Sequence, residues 1–132
     1  MFVFPDSARL TAKWVNEGFI EAGRAERAFT TVPKERPARF VKLSRMGGVK
    51  MPNLVYDKAI IAVEAWAPSD KDAGELCQWV RARIEDLSFR KVDGFQCALV
   101  DELAGPQAFP DRDSHVPRYL YTVQVPFRGK VP

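Results

Sequence analysis

The chain has 132 residues, 46% hydrophobic and 28% charged, and 20 lysines and arginines stand against 17 aspartates and glutamates for a net charge of +3. That length favours one domain with its own core, and the composition excludes a disordered or low-complexity chain. The balance is only mildly basic, so charge alone does not mark a nucleic-acid binder, and no apolar run reaches the roughly 20 residues of a bilayer-crossing helix.

The first predicted element is a helix over residues 6–23, capped by Asp6 or Ser7 after Pro5. Leu10, Trp14, Val15, Phe19 and Ala22 share one side of it, Lys13, Glu17 and Glu21 lie outside, and Gly23 is the stop. The preceding "MFVFPDSARL" has no basic region followed by an apolar run. The expectation is therefore a soluble protein made in the cytoplasm rather than a secreted one. Residues 26–32 are a short first strand, with "PKER" as the turn after it.

Residues 38–46 form the next strand, ended by Gly47–Gly48. Cations recur here at every third position: Arg36, Arg39, Lys42 and Arg45. Pro37 sets the residue before it extended, and Phe40, Val41 and Leu43 favour a strand. On a strand that spacing places positive charge on both faces. The loop "VKMPN" leads to a long strand over 53–67. Its one face carries Val55, Ala59, Ile61, Val63 and Ala65; the other carries Tyr56, Ile60, Ala62 and Trp66, interrupted by Lys58 and Glu64. A half-exposed antiparallel strand shows one polar face. This one is central and covered twice, or meets another subunit.

The clearest helix is 69–87, with Ser69 as N-cap, Asp70 and Asp72 in its first turn, and Ala73, Leu76, Cys77, Val80, Ile84 and Leu87 on its apolar side. A turn at 92–94 leads into a strand over 95–103, followed by a long proline-rich loop over 105–118 and a last strand over 119–127. Together these give a single α+β domain over 1–132. Its sheet is mainly antiparallel or mixed, with two helices packed on one face.

Catalytic signatures are sparse. His115 is the single histidine and sits in "PDRDSHVPR" near Asp111 and Asp113, which reads as a turn-rich loop before it reads as an acid–base pair. One histidine and two cysteines 20 positions apart do not supply a zinc site. Cys77 and Cys97 fall in apolar surroundings and read as buried free thiols. "RMGGVK" lacks the Lys-Ser/Thr and the following helix of a phosphate loop. Asp101 and Glu102 are adjacent, so on a strand they point to opposite faces and cannot flank one bond. No enzyme, metal or cofactor is expected. Aromatics beside cations, Phe40 between Arg39 and Lys42 and Tyr119 after Arg118, leave a small nucleic-acid-binding module as one alternative.

Three segments in order carry a resemblance: "RPARFVKLSRMGG", "NLVYDKAIIAVEAWAPSDKDAGELCQWVRARI" and "GPQAFPDRDSHVPRYLYTVQVPFRG". Over residues 33–129 the chain resembles the tail terminator proteins of long-tailed phages, especially those infecting actinobacteria. The resemblance implies a small α/β subunit without a catalytic site, located in the neck of the virion tail. Six copies would form a ring at the head-proximal end of the tail tube. The ring would stop polymerisation of the major tail tube protein and present a surface to a head-completion or connector protein. Genome DNA would pass through its lumen, and no membrane would be involved.

In such a ring Arg36, Arg39, Lys42, Arg45, Lys58 and Glu64 are candidates for subunit interfaces or the lumen. Arg39 and Arg45 would meet one neighbour or surface and Lys42 another, while Lys58 and Glu64 would find partners across a subunit boundary. The loops at 47–52 and 105–118 are the expected contacts with tube or connector, through Met51, Phe109, Asp111, Val116 and Arg118. A head-closure or connector adaptor of the phage neck is the alternative within the same setting.

Overall fold

The computed structural model describes residues 1–52 and 55–132. Asn53 and Leu54, the first two residues of the strand expected over 53–67, lie outside the described residues.

Helix α1 spans Ser7–Glu21, and Asp6 caps it by accepting a hydrogen bond from the Arg9 N–H at 3.2 Å. Helix α2 spans Asp70–Glu85, capped by Ser69, whose hydroxyl accepts from the Asp72 N–H at 3.1 Å. Between and after them run β1 (Ala28–Phe29), β2 (Phe40–Gly47), β3 (Tyr56–Trp66), β4 (Lys91–Val92), β5 (Phe95–Gln96), β6 (Asp101–Ala108) and β7 (Arg118–Arg128). Five strands make one sheet in the order β1-β2-β3-β7-β6, and β4 and β5 form a separate small hairpin. The β1–β2 pair is parallel and the other neighbours are antiparallel, so the sheet is mixed.

The long strands β3 and β7 occupy the centre and pair along their whole length, from Tyr56 opposite Arg128 to Trp66 opposite Arg118. Alternation then sorts their side chains. Val41 and Leu43 of β2, Ala59, Ile61, Val63 and Ala65 of β3, and Tyr121, Val123, Val125 and Phe127 of β7 all enter one core. Leu10, Val15 and Phe19 of α1 and Leu76, Cys77, Val80 and Ile84 of α2 close that core from the same side. The two helices thus pack on one face of the sheet. Ile60 and Ala62 of β3 and Leu120, Thr122 and Gln124 of β7 alternate with core residues and so lie on the other face, which no helix covers.

Three boundaries differ from the sequence expectation. The first strand is only two residues long. It is held at the sheet edge by Asn16, whose side-chain amide donates to the Ala28 carbonyl at 3.0 Å and accepts from the Ala28 N–H at 2.7 Å. The strand expected over 95–103 is broken: Phe95–Gln96 turns back onto Lys91–Val92 through Asp93 and Gly94, both at positive φ. The chain then meets β7 at Cys97 and through the Ala98 N–H, which donates to the Pro126 carbonyl at 2.9 Å, before β6 starts at Asp101. Finally, β6 continues through "GPQA" to Ala108, which shortens the expected loop over 105–118 to 109–117. Pro106 is tolerated because β6 is the outermost strand, where one backbone side needs no partner.

Candidate interaction surfaces

Trp66 ends β3 on the face without helices and is the centre of a cluster. Phe40 stacks on it with ring centroids 5.5 Å apart, and the guanidinium groups of Arg36 and Arg118 lie 5.2 and 5.1 Å from its ring. Arg118 does more than cover the indole. Its Nη1 donates to Glu64 Oε1 at 2.9 Å, its Nε donates to the Phe109 carbonyl at 2.8 Å, and it lies 5.3 Å from the Phe109 ring. Glu64 also faces Lys42 directly across the β2–β3 pair, with Nζ 3.6 Å from Oε2. Its carboxylate is therefore partnered within the chain by both Arg118 and Lys42.

The loop over 109–117 is folded on itself. Asp111 accepts from the Ser114 hydroxyl at 2.5 Å and from the Ser114 N–H at 3.0 Å, and lies 3.9 Å from Arg118. The Ser114 hydrogen bonds, with Arg118 behind them, hold the Asp111 carboxyl below its ordinary range. Val116 closes a pocket of about 240 Å³ against Arg36, Pro37, Phe40 and Trp66. The structure thus gathers Arg36, Lys42, Glu64, Phe109, Asp111, Val116 and Arg118 at one end of the sheet. Trp66, which joins them, was assigned no role from the sequence beyond its strand face. Its signal was the position at the end of an apolar strand, next to the charges of both neighbouring strands.

The other candidates lie elsewhere. Arg39 reaches the helix side and donates from Nη2 to Asp72 in the first turn of α2 at 2.6 Å. It borders an open cleft of about 490 Å³ together with Arg24, Glu26 and Glu75. Arg45 holds Asp57 of β3 with two parallel hydrogen bonds, Nη1 to Oδ2 at 2.6 Å and Nη2 to Oδ1 at 2.9 Å. The Asp57 contact raises the pKa of the Arg45 guanidinium further above its ordinary value. Asp57 was missed as its partner, although it is the one carboxylate that interrupts the apolar face of Ala59, Ile61, Val63 and Ala65. Lys58 is half-buried and makes no ion pair among the described residues. Met51 is at the end of the sheet opposite Trp66, with its N–H donating to the Tyr56 carbonyl at 2.8 Å.

The two loops are therefore far apart. Loop 48–52 adjoins Tyr56 and loop 109–117 adjoins Trp66, so the length of β3 separates them, roughly 33 Å at strand rise. His115 sits in the second loop, exposed and at φ 57°, and its backbone N–H donates to the Asp111 carbonyl at 2.9 Å. Glu102 turns toward α2 and takes Arg81 in two-point fashion at 2.7 and 2.8 Å. Cys77 and Cys97 are buried and not joined in a disulfide, Cys97 Sγ donates to the Ala98 carbonyl at 3.3 Å, and burial pushes each thiol up to about 12. Among the described residues no three histidine, cysteine or carboxylate side chains are placed to hold a metal ion. Among the described residues no helix is long and apolar enough to cross a membrane. No protein-family model matches the chain, and no curated protein matches it.

Proposed function

We propose that the protein is a ring-forming neck subunit of a phage tail. In this reading six copies cap the head-proximal end of the tail tube, end its growth and present a surface for head joining. The observation that carries the reading is the separation of the two contact loops to opposite ends of the β3–β7 pair. A subunit inserted between a tube and a connector needs two axial surfaces, and these loops are where they would be. The sheet face without a helix layer also supports it, because Ile60 and Leu120 are only half-buried there, on strands long enough to span the subunit. Apolar side chains on an uncovered face are what an assembly subunit brings to its neighbours or lumen. The resemblance over 33–129 supplies the identity of the assembly, and the virion neck follows from it as the location.

The experiment adds the purified protein to tail tube protein during polymerisation and measures tube length by electron microscopy. Shorter tubes with extra density at one end are the expected result. Unchanged tube lengths, with binding instead to a portal assembly, would move the protein to the connector side of the neck. Salt-sensitive DNA binding without tube or portal binding would favour the nucleic-acid module.

A further inference from the structure

Elsewhere on the molecule cations meet carboxylates: Arg39 meets Asp72, Lys42 and Arg118 meet Glu64, Arg45 meets Asp57, and Arg81 meets Glu102. The end of the sheet opposite Trp66 is different. There β7 ends at Arg128, opposite Tyr56, and the β4–β5 hairpin joins it through the Cys97–Phe127 bridge. Lys91, Gly94 and Gln96 of the hairpin, with Arg128, Gly129 and Lys130, line a pocket of about 300 Å³. Three of these residues are cations and none is a carboxylate. Lys91, Arg128 and Lys130 have no ion pair among the described residues.

The cations are held in place, and the carboxylate of the hairpin turn is drawn to other partners. The Lys130 N–H donates to the Val3 carbonyl at 3.0 Å, and its carbonyl accepts from the Val3 N–H at 2.8 Å. The Lys130 ammonium lies 4.2 Å from the Phe95 ring and donates to the Asp93 carbonyl at 3.3 Å. Both partners are uncharged, so they place the ammonium without cancelling it. Gly94 makes the room: its φ is +68° to +91° in kind, at +77°, and a Cβ there would lie 2.7 Å from Lys130 Nζ. Lys91 and Arg128 stand on paired strands, opposite Gln96 and Tyr56. The Asp93 carboxylate accepts from Lys13 and lies 3.7 Å from Arg9, both on α1, and it is absent from the pocket lining. Helix α1 thus takes up the carboxylate of the turn and leaves the pocket positive.

Like charges around one cavity repel, and an anion between them relieves the repulsion. A carboxylate brings one negative charge, whereas a terminal phosphate brings about −1.5 to −2 and three strong acceptor oxygens. We propose that this pocket binds phosphate, with Lys91, Arg128 and Lys130 donating to its oxygens. A free diphosphate compound and the neighbouring phosphates of a nucleic-acid backbone share that chemistry, and the binding assay separates them. The site does not rest on the ring reading, since tube capping does not call on these residues.

Pyrophosphate and a short DNA duplex are each titrated into the purified protein at low salt. Whichever of them binds should shift the amide NMR signals of Lys91, Gly94, Gln96, Gly129 and Lys130. The exposed double variant Lys91→Gln, Arg128→Gln, with unchanged circular dichroism, should weaken that binding by at least about tenfold. The control Lys34→Gln, Lys71→Gln removes two exposed lysines that do not line the pocket, and it should bind as the wild type does. For DNA, the slope of log affinity against log salt should shrink by about two in the pocket variant and stay unchanged in the control. Pyrophosphate binding without DNA binding assigns the site to a free phosphate compound. DNA binding with the reduced slope assigns it to a nucleic-acid backbone. Binding of neither, amide shifts confined to other surfaces, or equal weakening by the two double variants would overturn the site.

Discussion

Arg39 and Arg45 occupy equivalent places in a three-residue cation pattern, yet their surroundings make them different residues. The Arg39–Asp72 pair joins two partly exposed side chains at 2.6 Å. Such pairs contribute about 0–1 kcal/mol. Asp57, by contrast, is only 6% exposed, and Arg45 satisfies both of its oxygens. Removing the guanidinium leaves a carboxylate shielded from water with its main partner gone. The cost for a fully buried pair is about 3–5 kcal/mol, reduced here because the Arg45 side chain is itself partly exposed. Arg45→Ser should therefore lower stability by about 2 kcal/mol in a urea titration, on the discounted end of that scale. Arg39→Ser should change it by less than about 1 kcal/mol. Equal effects would contradict the assignment of Arg45 to the fold. Arg39 is then the cleaner of the two for testing assembly, since its loss leaves the subunit intact.

The elements were legible where periodicity and caps agreed. Ser69 with Asp70 and Asp72 announced α2, and an apolar residue at every second place announced β3 and β7. What sequence could not show was where a strand changes partner. "FQCALVDEL" reads as one strand. Its first two residues pair locally around the Asp93–Gly94 turn, and the pairing with β7 resumes as a strand only at Asp101. A glycine–proline step in β6 likewise reads as a loop until its edge position is known. The candidate cluster was legible as a set of charges on strands, but their pairing was not, because Glu64, Lys42 and Arg118 come together only through strand order.

The seam between α2 and the sheet gives a pH test. Cys77 lies on α2 and Cys97 beside β7, both in the core. Burial raises each thiol from 9.0 to about 12, and burial likewise raises the Tyr121 hydroxyl. For a group whose folded pKa lies above its unfolded value, the stability it contributes is complete below the unfolded pKa. That stability is lost as pH rises through the folded one. Stability to urea should thus decline between pH 9 and 12. The double variant Cys77→Ala, Cys97→Ala should decline less over that window. Equal declines in both proteins would show that the thiols are not responsible.

At the scale of the whole molecule, the sheet separates three kinds of surface. Helices cover one face, the loops mark its two ends, and β2 and β6 leave two lateral edges. The charges that made β2 unusual as a sequence are largely neutralised within the subunit, by Asp72, Glu64 and Asp57. Cations on both sides of that strand therefore do not by themselves require neighbours. The case for a ring rests on the separated loops and the uncovered face. The most direct measurement is the native mass of the purified protein across concentration and salt, with negative-stain images of the same samples. The account predicts six-copy rings with a central hole, favoured by higher concentration. Monomers throughout, which also fail to cap growing tubes, would contradict it.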